Sequence, residues 1–133
     1  MKQLEIVGAI ATVRPDGIIE IRKNPSWEQP DTPESMKRYA LGLKELIGDN
    51  IHGVLVFAPN LYIEKKVLEA YASVDIGYVA NSIVVNSVGS KIFANFVLKF
   101  VKNSTPKRIF TKQAEAEEWL LKHIEQAKQL REQ

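Results

Sequence analysis

The sequence predicts one α/β domain: a single-layer mixed β-sheet of four to five strands, opened by an N-terminal β-hairpin and covered by about four helices. Three observations predict it. Two runs rich in β-branched residues, Ala9–Arg14 and Ile18–Arg22, flank Pro15-Asp16-Gly17. Two short apolar runs, Val54–Phe57 and Ser82–Asn86, suit strands buried on both faces. Segments with apolar residues at helical spacing alternate with those runs, an order that calls for parallel strand pairs under helical cover. A length of 133 residues suits one domain with one core.

The hairpin, about residues 9–22, has a turn with a mechanism. Pro15 presets φ, Asp16 can bond its own backbone, and Gly17 accepts positive φ. Residues before Ala9 extend the hairpin or start loosely. After a polar connection holding Trp27, Thr32-Pro33-Glu34 opens a helix. Thr32 caps it, Pro33 fits the first helical position, and Glu34 favours the positive end of the dipole. Met36, Tyr39, Ala40, Leu43, Leu46 and Ile47 follow at helical spacing, and Gly48 ends the helix. Asn60 is expected to cap the next helix, whose inner face is Ile63, Val67, Ala70, Tyr71 and Val74. A helix over about 90–102 follows the second apolar run, with Ser90 as its cap. Pro106–Phe110 reads as a short last strand. The last helix starts near Lys112 and carries Ala116, Trp119, Leu120 and Ile124 on one side; its polar tail, 126–133, is expected to fray.

Composition narrows the function. Eighteen basic residues against 16 acidic give a net charge of +2, too even to predict nucleic-acid binding. Without cysteine there is no disulfide, thiolate nucleophile or cysteine-ligated metal. No stretch approaches the roughly 18 apolar residues that span a bilayer, and the N-terminus lacks a secretory h-region, so the expected location is the cytoplasm.

The opening Asp16-Gly17-Ile18-Ile19 hairpin, Ser82-Ile83-Val84-Val85-Asn86 leading to Asn95-Phe96, and Arg108-Ile109-Phe110-Thr111 followed by Ala116 and Trp119-Leu120 resemble the STAS-like proteins. The closer likeness is to small bacterial proteins of the SpoIIAA-like sort. The resemblance implies non-catalytic work: protein–protein signalling, or binding of a small or lipid-like ligand. In anti-anti-sigma members, a Ser at the start of the helix after a central strand is phosphorylated. Here that place reads Ala58-Pro59-Asn60-Leu61-Tyr62, with no hydroxyl of that kind, so no phosphorylation switch is expected.

Chemistry is sparse. His52 and His123 lie far apart and neither has a second ligand at helical spacing, so no metal or cofactor is expected. Gly-rich phosphate loops and a G-x-S-x-G elbow are absent. Glu115, Glu117 and Glu118 read as a solvated helix start, and Asp75 as a turn residue. No catalytic residue is therefore assigned. The helix over 90–102 is the segment to watch. Ile92, Phe93, Phe96, Val97, Phe100 and Val101 cover about half its circumference, whereas one sheet face needs only about a 100° stripe. Ile92, Phe93, Phe96, Val97 and Phe100, with Lys99 setting orientation, form the candidate partner or ligand surface. Trp27, in its polar loop, is either a lid over the interior or part of a contact surface. The expected function is a non-catalytic binding or regulatory module working through a protein partner or self-association as a homodimer. The alternative is a carrier or sensor of an apolar or lipid-like molecule in a pocket beside helix 90–102.

Overall fold

The computed structural model describes residues 2–58, 64–99 and 105–133, without the side chains of residues 93 and 96–98. The described residues form six strands and four helices. The strands are β1 (Lys2–Ile6), β2 (Ala9–Val13), β3 (Ile18–Lys23), β4 (Gly53–Phe57), β5 (Ala80–Val84) and β6 (Lys107–Phe110). The helices are α1 (Pro33–Ile47), α2 (Lys65–Ala72), α3 (Val88–Leu98) and α4 (Gln113–Arg131). The six strands make one sheet in sequence order. β1, β2 and β3 pair antiparallel, while β3 to β6 pair parallel.

The sheet thus has one or two more strands than the four to five expected. The extra strand, β1, is an edge strand whose first four residues are exposed, so it lacks the clear apolar face that marks a strand in sequence. Its connection also conceals it. Val7-Gly8 makes a two-residue hairpin loop with φ of 34° and 82°. Such loops favour Asn-Gly or Asp-Gly, and a β-branched first residue does not announce one.

Pleating sorts the core into two faces. Ile19, Ile21 and Val54 join Ala40, Leu43 and Ile47 of α1 on one face, and further along that face Ile109 meets Ala94 of α3. Ile18, Leu55, Ala80 and Phe110 face the other way, where Ala116, Leu120 and Ile124 of α4 cover them. Successive helices linking neighbouring parallel strands in one direction belong on the same face, because such crossovers share one hand. That arrangement leaves the second face for α4, which spans β3 to β6.

The ends of the elements follow local chemistry. At α1 the Thr32 hydroxyl accepts the Ser35 N–H at 3.0 Å and the Ser35 hydroxyl accepts the Thr32 N–H at 2.8 Å, a reciprocal capping box. Asp16 accepts the Ile18 N–H at 3.1 Å and pairs with Arg14 at 2.6 Å, which also reaches Glu117 of α4. α3 begins at Val88, so Ser87, not Ser90, is the capping serine: its hydroxyl accepts the Ser90 N–H at 3.1 Å. α4 continues through most of the tail expected to fray, and Arg131 donates to the Asp49 carbonyl at 2.8 Å. Asn60 and Ile63, expected at the start of the second helix, lie outside the described residues; α2 begins after Glu64, which makes no side-chain cap.

Ser82 sits mid-sheet between Leu55 and Arg108, fully buried, and its hydroxyl has no hydrogen-bond partner among the described residues. An unsatisfied buried hydroxyl costs about 1–3 kcal/mol, more than a single removed oxygen loses in packing. Ser82→Ala is therefore expected to raise the unfolding free energy by about 1 kcal/mol. A urea titration tests this; a lower midpoint at unchanged slope would show the hydroxyl to be useful.

Candidate functional site

Loops leave the sheet at the carboxyl ends of its parallel strands, and binding residues concentrate on such loops held by a rigid scaffold. Here β3 ends at Lys23 and β4 at Phe57, and a pocket of about 560 Å³ opens beside them. Its floor comes from the strands: Ala9 of β2, Ile21 of β3 and Val56 of β4, all on the face that α1 covers. The β1–β2 turn adds Val7 and Gly8. Trp27, Gln29, Pro30 and Asp31 come from the loop after β3, and Ser35, Met36 and Tyr39 from α1.

Trp27 is held from behind. A Cβ on Gly8 would stand 2.7–2.9 Å from indole atoms Cδ1, Nε1 and Cγ, so the ring rests on bare backbone that only glycine provides. Asn24 organises the loop. Its backbone N–H bonds the Gly8 carbonyl at 2.9 Å, its side chain accepts from the Ser26 N–H at 3.0 Å and donates to Glu5 at 2.8 Å, and its carbonyl accepts the Trp27 N–H at 3.0 Å. The neighbouring Val7 holds positive φ, a conformation that costs a β-branched residue about 1–3 kcal/mol. Packing against the core on the α1 face offsets that cost.

On the α1 side, Tyr39 stacks on Tyr71 with centroids 6.3 Å apart and planes 23° apart. Tyr78 lies beside Tyr71 and raises its pKa, and the Asn81 amide donates to the Tyr71 oxygen at 3.4 Å. Burial pushes all three phenols above their ordinary range, most clearly Tyr71. They are therefore neutral at physiological pH, and Tyr39 presents an uncharged ring to the pocket. Asn81 is 3% exposed and its side-chain oxygen has no partner among the described residues.

The residues singled out in sequence fall in two places. Trp27 lines the pocket as a wall. The others belong to or follow α3, on which this pocket does not border. Ile92 is 67% exposed and shares a helix face with Val88, 69% exposed, one turn earlier. Lys99 is exposed. The side chains of Phe93, Phe96 and Val97, and all of Phe100, lie outside the described residues. Among the described residues no three His, Cys, Asp or Glu side chains gather as metal ligands. His52 bonds the Gly17 carbonyl at 2.9 Å, and His123 packs edge-on to Trp119 with centroids 4.5 Å apart. No described helix is long and apolar enough to cross a membrane.

A family model described as a domain of unknown function, DUF7793, matches residues 54–124, more than half of the chain. The chain belongs to the DUF7793 family. The DUF7793 segment runs from β4 into α4, so the pocket's Val56, Phe57 and Ala58 lie within it, while Trp27, Met36 and Tyr39 precede it. The chain is also similar to a crystal structure of a protein with unknown function from Arthrobacter sp. FB24. The two share 23% identity over 83% of this chain and 90% of that one, with a TM-score of 0.31. Comparison with curated proteins gives no match.

Proposed function

We propose that this DUF7793 protein is a non-catalytic binding module of the STAS-like kind that holds a small apolar or amphipathic molecule in the Trp27 pocket, as a carrier or sensor. One observation carries the reading: a pocket of about 560 Å³ at the carboxyl ends of β3 and β4, with an apolar floor and a polar rim. Sites for small molecules combine those features, a mostly apolar lining with a few polar groups that orient the ligand. Lys23, Gln29 and Asp31 are the exposed polar residues of the rim. The ligand's apolar part would take the place of water over Ala9, Ile21 and Val56.

Val56 is half-buried on the floor, so Val56→Phe fills the pocket without adding a charge. A thermal-shift screen of small molecules of about 10–20 non-hydrogen atoms, a size set by pocket volume, is expected to yield compounds that stabilise the native chain and not Val56→Phe. A screen with no stabilising compound, or compounds indifferent to Val56→Phe, would remove the reading.

A second reading is favoured by the exposed Val88 and Ile92 pair on α3: contact with a protein partner or self-association through that helix. Ile92→Asp is expected to shift the mass seen by light scattering from dimer to monomer if α3 makes the contact. A monomer before substitution would discard self-association.

A further inference from the structure

The walls of the Trp27 pocket are set before any ligand arrives. The indole rests on Gly8, whose φ of 82° and missing side chain permit the contact. The Asn24 hydrogen bonds fix the loop that carries the ring. On the α1 side, Tyr39 is braced by its stack on Tyr71. Between these aromatic groups the floor consists of short aliphatic side chains, Ala9, Ile21 and Val56. Aromatic groups held in place lose little freedom on binding, and they reward a ring that stacks offset or edge-on more than a saturated chain of equal area. A flexible chain gives up rotamer freedom at each bond it immobilises. We infer that the ligand carries a flat aromatic or heteroaromatic ring that packs on Trp27. This rests on the pocket being a ligand site at all, and narrows the class of molecule it takes.

Two probes separate ring from chain. 2-Naphthoate is a flat fused ring and decanoate a flexible chain; the two are of nearly equal size and each carries one carboxylate. Lys23 on the rim meets the same carboxylate in both, so shape decides between them. In Trp119→Phe protein, where Trp27 is the remaining tryptophan, the naphthalene probe is expected to bind saturably and quench Trp27 emission. Decanoate is expected to displace it only at concentrations about tenfold higher or more, the ratio expected for an added stacking contact. Read by the probe's own fluorescence, Trp27→Phe keeps most of the affinity and Trp27→Leu loses about tenfold. Circular dichroism confirms that each variant is folded, and Val56→Phe abolishes specific binding. Decanoate binding as tightly as the naphthalene probe, or Trp27→Leu binding it as well as Trp27→Phe does, overturns the inference and leaves the pocket reading intact. Neither probe binding overturns both.

Discussion

Raising the pH well above 10 is expected to unfold the protein, with three tyrosines supplying most of the effect. Tyr39, Tyr71 and Tyr78 line up from the pocket into the space between α1, α2 and β5, and burial is the chief reason their phenols hold protons above the ordinary value of 10.0. Mutual repulsion adds to it, since Tyr78 raises both partners, while Asp31 acts on Tyr39 and Asp75 on Tyr78. In the unfolded chain all three titrate near 10. Between that value and their raised folded values, the folded state binds more protons than the unfolded state, so stability falls as pH rises. Each group contributes at most about 1.4 kcal/mol per pH unit, and only up to its own folded value, so Tyr39 and Tyr71, raised furthest, carry most of the loss. Lys107 works in the opposite sense, because burial lowers it from 10.5. Its contribution grows with pH only up to about 10.5 and involves one group, so the tyrosines win above that point. A domain has about 5–15 kcal/mol in hand, and a loss of several kcal/mol over the two units above 10 brings it close to unfolding. Urea midpoints measured from pH 8 to 11.5 are expected to be nearly level and then collapse. Phenolate absorbance at 295 nm should rise in step with lost circular dichroism. Three tyrosines ionising near pH 10 in a chain that stays folded would refute the account. Tyr71→Phe is expected to flatten the slope by up to about half.

How much of this was legible beforehand depends on how local the signal is. The Pro15-Asp16-Gly17 turn and the Thr32-Pro33 helix start rest on contacts between residues within three positions of one another, and their chemistry can be read from the order of residues alone. The same locality explains the slip at α3. Ser87 and Ser90 stand three apart before an apolar run, each chemically fit to cap, and only the backbone decides for Ser87. Long-range partners leave no such trace. Arg131 bonds a carbonyl 82 positions away, so a tail that looks polar and loose is a helix end. The pocket is the extreme case, since its lining comes from the first turn, three strands, one loop and α1. Trp27 was visible as an aromatic residue stranded in a polar loop, whereas Gly8, which gives it a seat, is unremarkable until the turn brings the two together.

The second large effect is expected on the opposite face of the sheet. Leu120→Ala should destabilise the protein by about 3–5 kcal/mol, because the side chain is fully buried among Ile18, Leu55, Ala80 and Phe110 and its loss leaves a cavity there. One neighbour makes the claim sharper. Gly53 opens β4 beneath α4, and a Cβ there would lie 3.1 Å from a Leu120 methyl and 3.3 Å from one of Ile124. In the native chain Gly53→Ala therefore crowds the helix and is expected to cost about 1 kcal/mol, an overpacking penalty partly offset by the stiffer unfolded chain. In the Leu120→Ala chain the nearer contact is gone and the added methyl enters the cavity, so the same substitution should gain about 1 kcal/mol. Urea unfolding of the four proteins tests the reversal of sign. An equal cost of Gly53→Ala in both backgrounds would show that α4 shifts to close the cavity by itself. Below their melting temperatures the Leu120 and Gly53 variants should keep the native affinity for the naphthalene probe. The Trp27 pocket lies on the α1 face, so loosening α4 removes stability without touching the walls that would hold a ring.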